Sequence, residues 1–169
     1  MYDGIQELLA PDQLKFPKTA AFAAHCMALQ DADGRIPAAR FEPAAIPKLA
    51  PYLVILGVLD NGADFLIRLV GTRLVTEFLG ADPTGSKLSE ILEGGEYGLR
   101  TRYIAEMAHR TRKPVLNQPG RTRLREKDYM MLETVTFPLF DAGGAVVKMA
   151  ALYDYRVDKE ASDGTIVPG

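Results

Sequence analysis

Two apolar runs separated by three residues constrain this chain more than any other feature in it. LVILGVLD (residues 53–60) and DFLIRLVG (64–71) flank Asn61, Gly62 and Ala63. A parallel crossover needs a dozen or more residues, so strands this close in sequence must pair antiparallel. Asn61 and Gly62 tolerate the positive φ that a tight hairpin turn demands. The next stretch turns helical, but only in short pieces. TRLVTEFLG (72–80) spells about two turns stopped at Gly80, DPTG is a turn, and SKLSEILEGG (86–95) is a second short helix ended by glycines. EYGLRTRYIAEMAHRTRK (96–113) is the longest late helix, with Tyr97, Ile104, Met107 and Ala108 on its buried stripe and Pro114 as its stop. Three further strands follow: PVLNQ (114–118), YMMLETVTFPLF (129–140) and AVVKMAALYDY (145–155). DAGG (141–144) joins the last two as an antiparallel turn.

Upstream, residues 1–16 read as a short helix or a loose arm. TAAFAAHCMALQ (19–30) is an alanine-rich helix with Phe22, Cys26 and Leu29 at helical spacing, Thr19 as its cap and Gly34 in the turn after it. Prolines at 37, 43, 47 and 51 forbid a long helix in the next segment, which reads as an ordered connector. Helices inserted after the second of five antiparallel strands exclude a doubly wound parallel sheet. They predict one α+β domain whose inserted helices cover one face of a single sheet. The length of 169 residues suits one domain with extensions.

Three segments carry a family resemblance. RLVGTRLVTEFLGADPTGSKLSEIL (68–92) is similar to the strand-to-helix passage of PAS domains, and VTFPLFDAGGAVVKMAALYDY (135–155) to their closing hairpin. GRIPAARFEPAAIPKLAPYLVILGVLD (34–60), joined to these, resembles the stand-alone proteobacterial PAS subfamily called PAS_5. The resemblance spans roughly residues 19–155. It implies a PAS-like five-stranded antiparallel sheet with short helices on one face and an added N-terminal helix. The implied organisation is an N-terminal helical extension and connector (1–50), a PAS core (51–156) and a flexible tail (157–169). The implied role is that of a stand-alone sensory or adaptor domain in bacterial signalling, binding a small molecule, a partner protein, or both. Output would come from a separate signalling protein, and a flanking helix commonly makes the homodimer contact in relatives.

A curved sheet under short helices leaves room for a pocket lined mostly by apolar groups. The inward-facing candidates are Ile67, Leu69, Leu74, Phe78, Leu88, Leu92, Met107, Leu132 and Val135. Arg68 is the candidate anchor for an anionic or carbonyl ligand, while Asn117 and Thr134 lie on strands and face either pocket or solvent. Phe22 is the candidate partner contact on the first helix. Arg121, Arg123 and Arg125 alternate, so in an extended segment they share one face and form a candidate docking surface. Basic residues dominate positions 100–127, although the net charge of the chain is −2. A binder of anionic partners through that region is therefore an alternative, and it predicts affinity that falls steeply with salt.

Other chemistry lacks its residues. His25 and His109 lie on different helices with no metal-ligand spacing, so no metal is expected. His109 sits on the helix that supplies the iron ligand in haem-binding PAS proteins, but a last-turn histidine answers the helix dipole without any haem. Flavin photochemistry of the light-oxygen-voltage type needs a cysteine in the middle of the fold, and the single Cys26 precedes it. There is no phosphate-binding glycine loop and no nucleophile elbow. A small isomerase or dehydratase with a cone-like α+β pocket remains an enzyme alternative, and it requires a strand acid or an Asp–His pair facing the cavity. One cysteine, an acidic opening and no long apolar run lead to the expectation of a cytoplasmic protein without a membrane segment or nucleic-acid partner.

Overall fold

The computed structural model describes residues 2–91, 96–122 and 130–157. Leu92, Arg123, Arg125 and the tail from residue 158 lie outside the described residues. The expected hairpin is present: β3 (Leu53–Leu59) pairs antiparallel with β4 (Asp64–Val70), with Val58 opposite Phe65. Its turn places Asp60, Asn61 and Gly62 all at positive φ. The closing strands β6 (Met130–Phe140) and β7 (Val146–Val157) form a long antiparallel pair, and β7 returns beside β3. β5 (Val115–Arg121) flanks β6 on its other side.

The sheet exceeds the expected five strands at both ends of the N-terminal segment. Residues 1–16 were expected as a helix or arm. Instead, β1 (Ile5–Glu7) adds antiparallel to β5, covering what would be an exposed strand edge. β2 (Ile36–Pro37) runs parallel beside the end of β6. Among the described residues the sheet order is β1-β5-β6-β7-β3-β4 with β2 against β6. This is the expected α+β architecture, an antiparallel sheet with short helices on one face and an added N-terminal helix, extended by two short strands.

Both faces of the sheet are buried, which explains why β6 lacks alternation and is apolar or polar-but-buried along its length. On one face lies α1 (Pro17–Ala28), whose Phe22, Ala23 and Cys26 pack with Leu53, Val135, Phe137, Ala150 and Leu152. The other face carries the inserted helices. These are α2 (Thr72–Leu74) running into a π-turn (Val75–Leu79), then α3 (Leu88–Ile91) and α4 (Glu96–Thr111). The π-turn closes on a Gly80 amide bonded to the Val75 carbonyl at 2.8 Å, with Gly80 at φ 77° as its stop. Gly71 precedes α2 because a Cβ there would meet the Pro51 carbonyl oxygen at 2.2 Å.

The start of α1 differs from expectation. Phe16 holds the cap position without a side-chain bond, and Thr19 lies inside the first turn. The capping is done from the sheet. Glu133 of β6, fully buried, accepts the amides of Lys15 at 2.8 Å and Phe16 at 3.0 Å and the Thr19 hydroxyl. Asp154, opposite Glu133 on β7, accepts the Lys18 amide at 2.9 Å. Two carboxylates at the positive end of a helix satisfy donors that have no partner within it.

Candidate functional site

Between the sheet and the inserted helices lies a cavity of about 560 Å³. That volume is within the range of small-molecule sites. Its apolar part is built where β3 and β4 meet the short helices, from Leu56, Ile67, Leu74, Phe78, Leu88 and Ile104. Helix α3, which supplies Leu88, is tied to β4 by Asp64. Its Oδ1 accepts the Ser89 amide at 3.2 Å and the Phe65 amide at 2.8 Å, and its Oδ2 accepts the Ser89 hydroxyl. Desolvation works to raise the Asp64 pKa. The bonds from Ser89 and Phe65, with the Arg102 charge, outweigh it and hold the carboxyl below its usual range.

The polar part lies across β5 and β6. Asn117 of β5 stands opposite Thr134 of β6, and Thr136 lies two residues further along the same face. All three line the cavity. Arg100 of α4 donates to the Asn117 Oδ1 at 2.9 Å and to the Asp3 carbonyl at 3.1 Å, with its guanidinium over the Tyr2 ring. β5 bulges between Asn117 and Gly120, where Pro119 has no amide to give the ladder. Gln118, Pro119 and Gly120 therefore turn into the cavity wall.

The structure brings together Ile67, Leu74, Phe78, Leu88 and Leu132 at the cavity, together with Asn117 and Thr134. It separates the other candidates. Leu69 and Val135 point to the opposite face and pack in the α1 core. Met107 packs half-buried beside the α4 cluster, where Ala105 takes the inward position on the helix. Arg68 does not anchor anything in the cavity. It is exposed and lies flat over Gly57, whose absent Cβ would stand 2.4 Å from the Arg68 Nε. Phe22 is not a partner surface either, because it is fully buried edge-on to Phe41 and Phe137. Arg121 is exposed at the cavity rim, and its companions Arg123 and Arg125 fall outside the described residues.

His109 stacks edge-on to Phe65 and abuts Gly62 in the hairpin turn, away from the described lining. Cys26 sits in the α1 core, where burial pushes its thiol pKa up. Among the described residues no cluster of metal-ligating side chains occurs, and no helix is long and apolar enough to cross a membrane. The polar groups that sequence reasoning missed are Thr136, which strand alternation puts on the face of Thr134, and Arg100. Only the pairing of α4 with the β1 arm and β5 makes Arg100 a cavity residue, and the arm carried no strand signal.

No family model and no curated protein matches the chain. Solved structures match over much of the chain. A sensory box sensor histidine kinase from Vibrio cholerae matches 68% of this chain and 91% of its own, with 9% identity and a TM-score of 0.47. The light-state LOV domain of the blue-light photoreceptor Aureochrome1 matches 73% of this chain and 97% of its own, at 13% identity and TM-score 0.41. A sensory box histidine kinase/response regulator from Burkholderia thailandensis E264 matches 74% of this chain and 92% of its own, at 12% identity and TM-score 0.40.

Proposed function

We propose that this chain is a stand-alone sensory domain of the PAS_5 type that holds a small molecule between its sheet and its inserted helices and passes the signal to a separate protein. The observation that carries the reading is the pair Thr134 and Thr136. They are 5% and 4% exposed and line the cavity, yet neither hydroxyl has a hydrogen-bond partner among the described residues. Both hydroxyls open onto the cavity, where they are placed to bond a molecule held there. The reading is non-enzymatic. An isomerase or dehydratase needs a strand acid at the cavity, and the buried acid of β6, Glu133, is committed to α1 on the opposite face.

Native mass spectrometry of freshly purified protein tests this. Extra mass of one recurrent small molecule per chain, lost on denaturation, is the expected result. A bare chain that also gains no thermal stability from a broad set of small metabolites would sink the receptor reading. The same spectrum reports whether the chain is a dimer.

A further inference from the structure

We infer that the cavity selects a ligand with an apolar body ending in an oxygen acceptor, a carboxylate or carbonyl, seated on Asn117, Thr134 and Thr136. This rests on the receptor reading and gives its ligand a chemical class.

The argument starts from Arg100. A guanidinium donates hydrogen bonds and accepts none. Its 2.9 Å bond to Asn117 therefore requires the amide oxygen on the Arg100 side and leaves the amide NH₂ for another partner. Among the described residues that NH₂ has none. Asn117 is thus locked as a donor towards whatever shares the cavity. Thr134, directly opposite it in register, and Thr136 on the same face each add a hydroxyl that can donate. Oxygen atoms of a carboxylate or carbonyl can accept from all three at once.

An ammonium group meets the reverse situation. Neither Arg100 nor the locked Asn117 NH₂ can accept from it, so over β5 and β6 it has only the neutral Thr134 and Thr136 hydroxyl oxygens to answer its charge. Two acids also reach the lining, Asp3 and Asp82, but neither belongs to the β5–β6 seat; Thr84 holds the Asp82 Oδ1 through its amide at 3.0 Å and its hydroxyl at 2.6 Å and leaves Oδ2 open. The apolar wall of Leu56, Ile67, Leu74, Phe78 and Leu88 lies towards β3, β4 and the short helices. A bound molecule therefore places its oxygen end over β5 and β6 and its hydrocarbon or ring towards Phe78.

Isothermal titration calorimetry of the full chain with phenylbutyrate and with phenylbutylamine tests this, because the two probes share one body and differ in the head. The acid is expected to bind at least tenfold more tightly, the size of roughly one hydrogen bond to a charged group. Asn117→Asp keeps an acceptor for Arg100 but replaces the NH₂ donor with an oxygen. It is expected to weaken the acid by about tenfold or more and to leave the amine no weaker. The double variant Thr134→Val with Thr136→Val, which keeps side-chain shape, should weaken the acid while the melting temperature is retained. Equal affinity for the two probes overturns the inference, as does acid binding unchanged by Asn117→Asp. If the native spectrum shows a retained molecule that has no oxygen acceptor, the inference fails while the receptor reading stands. An empty native spectrum with neither probe binding removes both.

Discussion

Glu133 fastens α1 to the sheet through a single side chain. Its carboxylate takes three donors at the start of α1, and all are buried or half-buried. Removing it strands those donors without water to replace it, which costs the desolvation of each. Glu133→Ala is expected to lower unfolding stability by roughly 3 kcal/mol or more, read by denaturant titration. Affinity for phenylbutyrate should change little, because the cavity lies on the other face. A large loss of binding at full stability would show that Glu133 acts on the cavity instead. Gly71 is a second sensitive residue. With the Pro51 carbonyl 2.2 Å from where a Cβ would stand, Gly71→Ala forces backbone to move and should cost about 1–3 kcal/mol in the same titration. In the sequence, Gly71 was legible as the residue before a helical turn, and Glu133 was only one of several scattered acids. Nothing local marks a strand acid that serves a helix more than a hundred positions away.

The α2 and π-turn part of the cavity wall is fastened to the sheet by β7. The Tyr155 hydroxyl donates to Glu77 Oε2 at 2.7 Å and reaches the Arg73 carbonyl at 3.3 Å, while Arg73 pairs with Glu77 one turn away. The Tyr155 bond, then the Arg73 bond, holds the Glu77 pKa below its ordinary 4.5. Burial first, and Glu77 second, pushes the Tyr155 pKa up. A carboxyl with a lowered folded pKa contributes stability above its unfolded value and loses it as pH falls through the folded one. Tyr155→Phe is therefore expected to cost about 1 kcal/mol near neutral pH. The difference from the native chain should shrink below about pH 4, as Glu77 protonates in both. A difference that stays constant down to pH 3 in thermal melts would show that ring packing, and not the carboxylate contact, carries the effect. At this scale the sequence was informative: the hairpin, the Gly80 stop, the long late helix and the closing strands all follow from local turn and breaker chemistry. The β1 arm and the short β2 did not, since three- and two-residue strands exist only because a long neighbour offers an unpaired edge.

Across the whole molecule the sheet has one filled face and one hollow face, and the difference decides which candidates became site residues. Period-two alternation says that Ile67 and Leu69 lie on the same side only if β4 stays regular. The pairing of β3 with β4 shifts register between Ile55 and Leu56, and Ile67 ends at the cavity while Leu69 packs in the α1 core. Val135 falls on the filled face for the plainer reason that it alternates with Thr134 and Thr136. An apolar residue on a strand buried on both sides carries no mark of which side it serves, so aliphatic candidates were separable only by structure. The hollow face also sets an expectation for the molecule as a whole. Ala151 of β7 lines the cavity beside Thr136, its partner in register, and its small side chain leaves space above it. Ala151→Leu puts added methyl groups into an existing void, where they need not displace packed neighbours. Its melting temperature should hold or rise, and phenylbutyrate should lose both its heat of binding and its stabilising effect on the melt, since a ligand stabilises only the state that binds it. A variant that melts normally and still binds with native affinity would place the ligand elsewhere, and the hollow face would then be a packing defect that the fold tolerates.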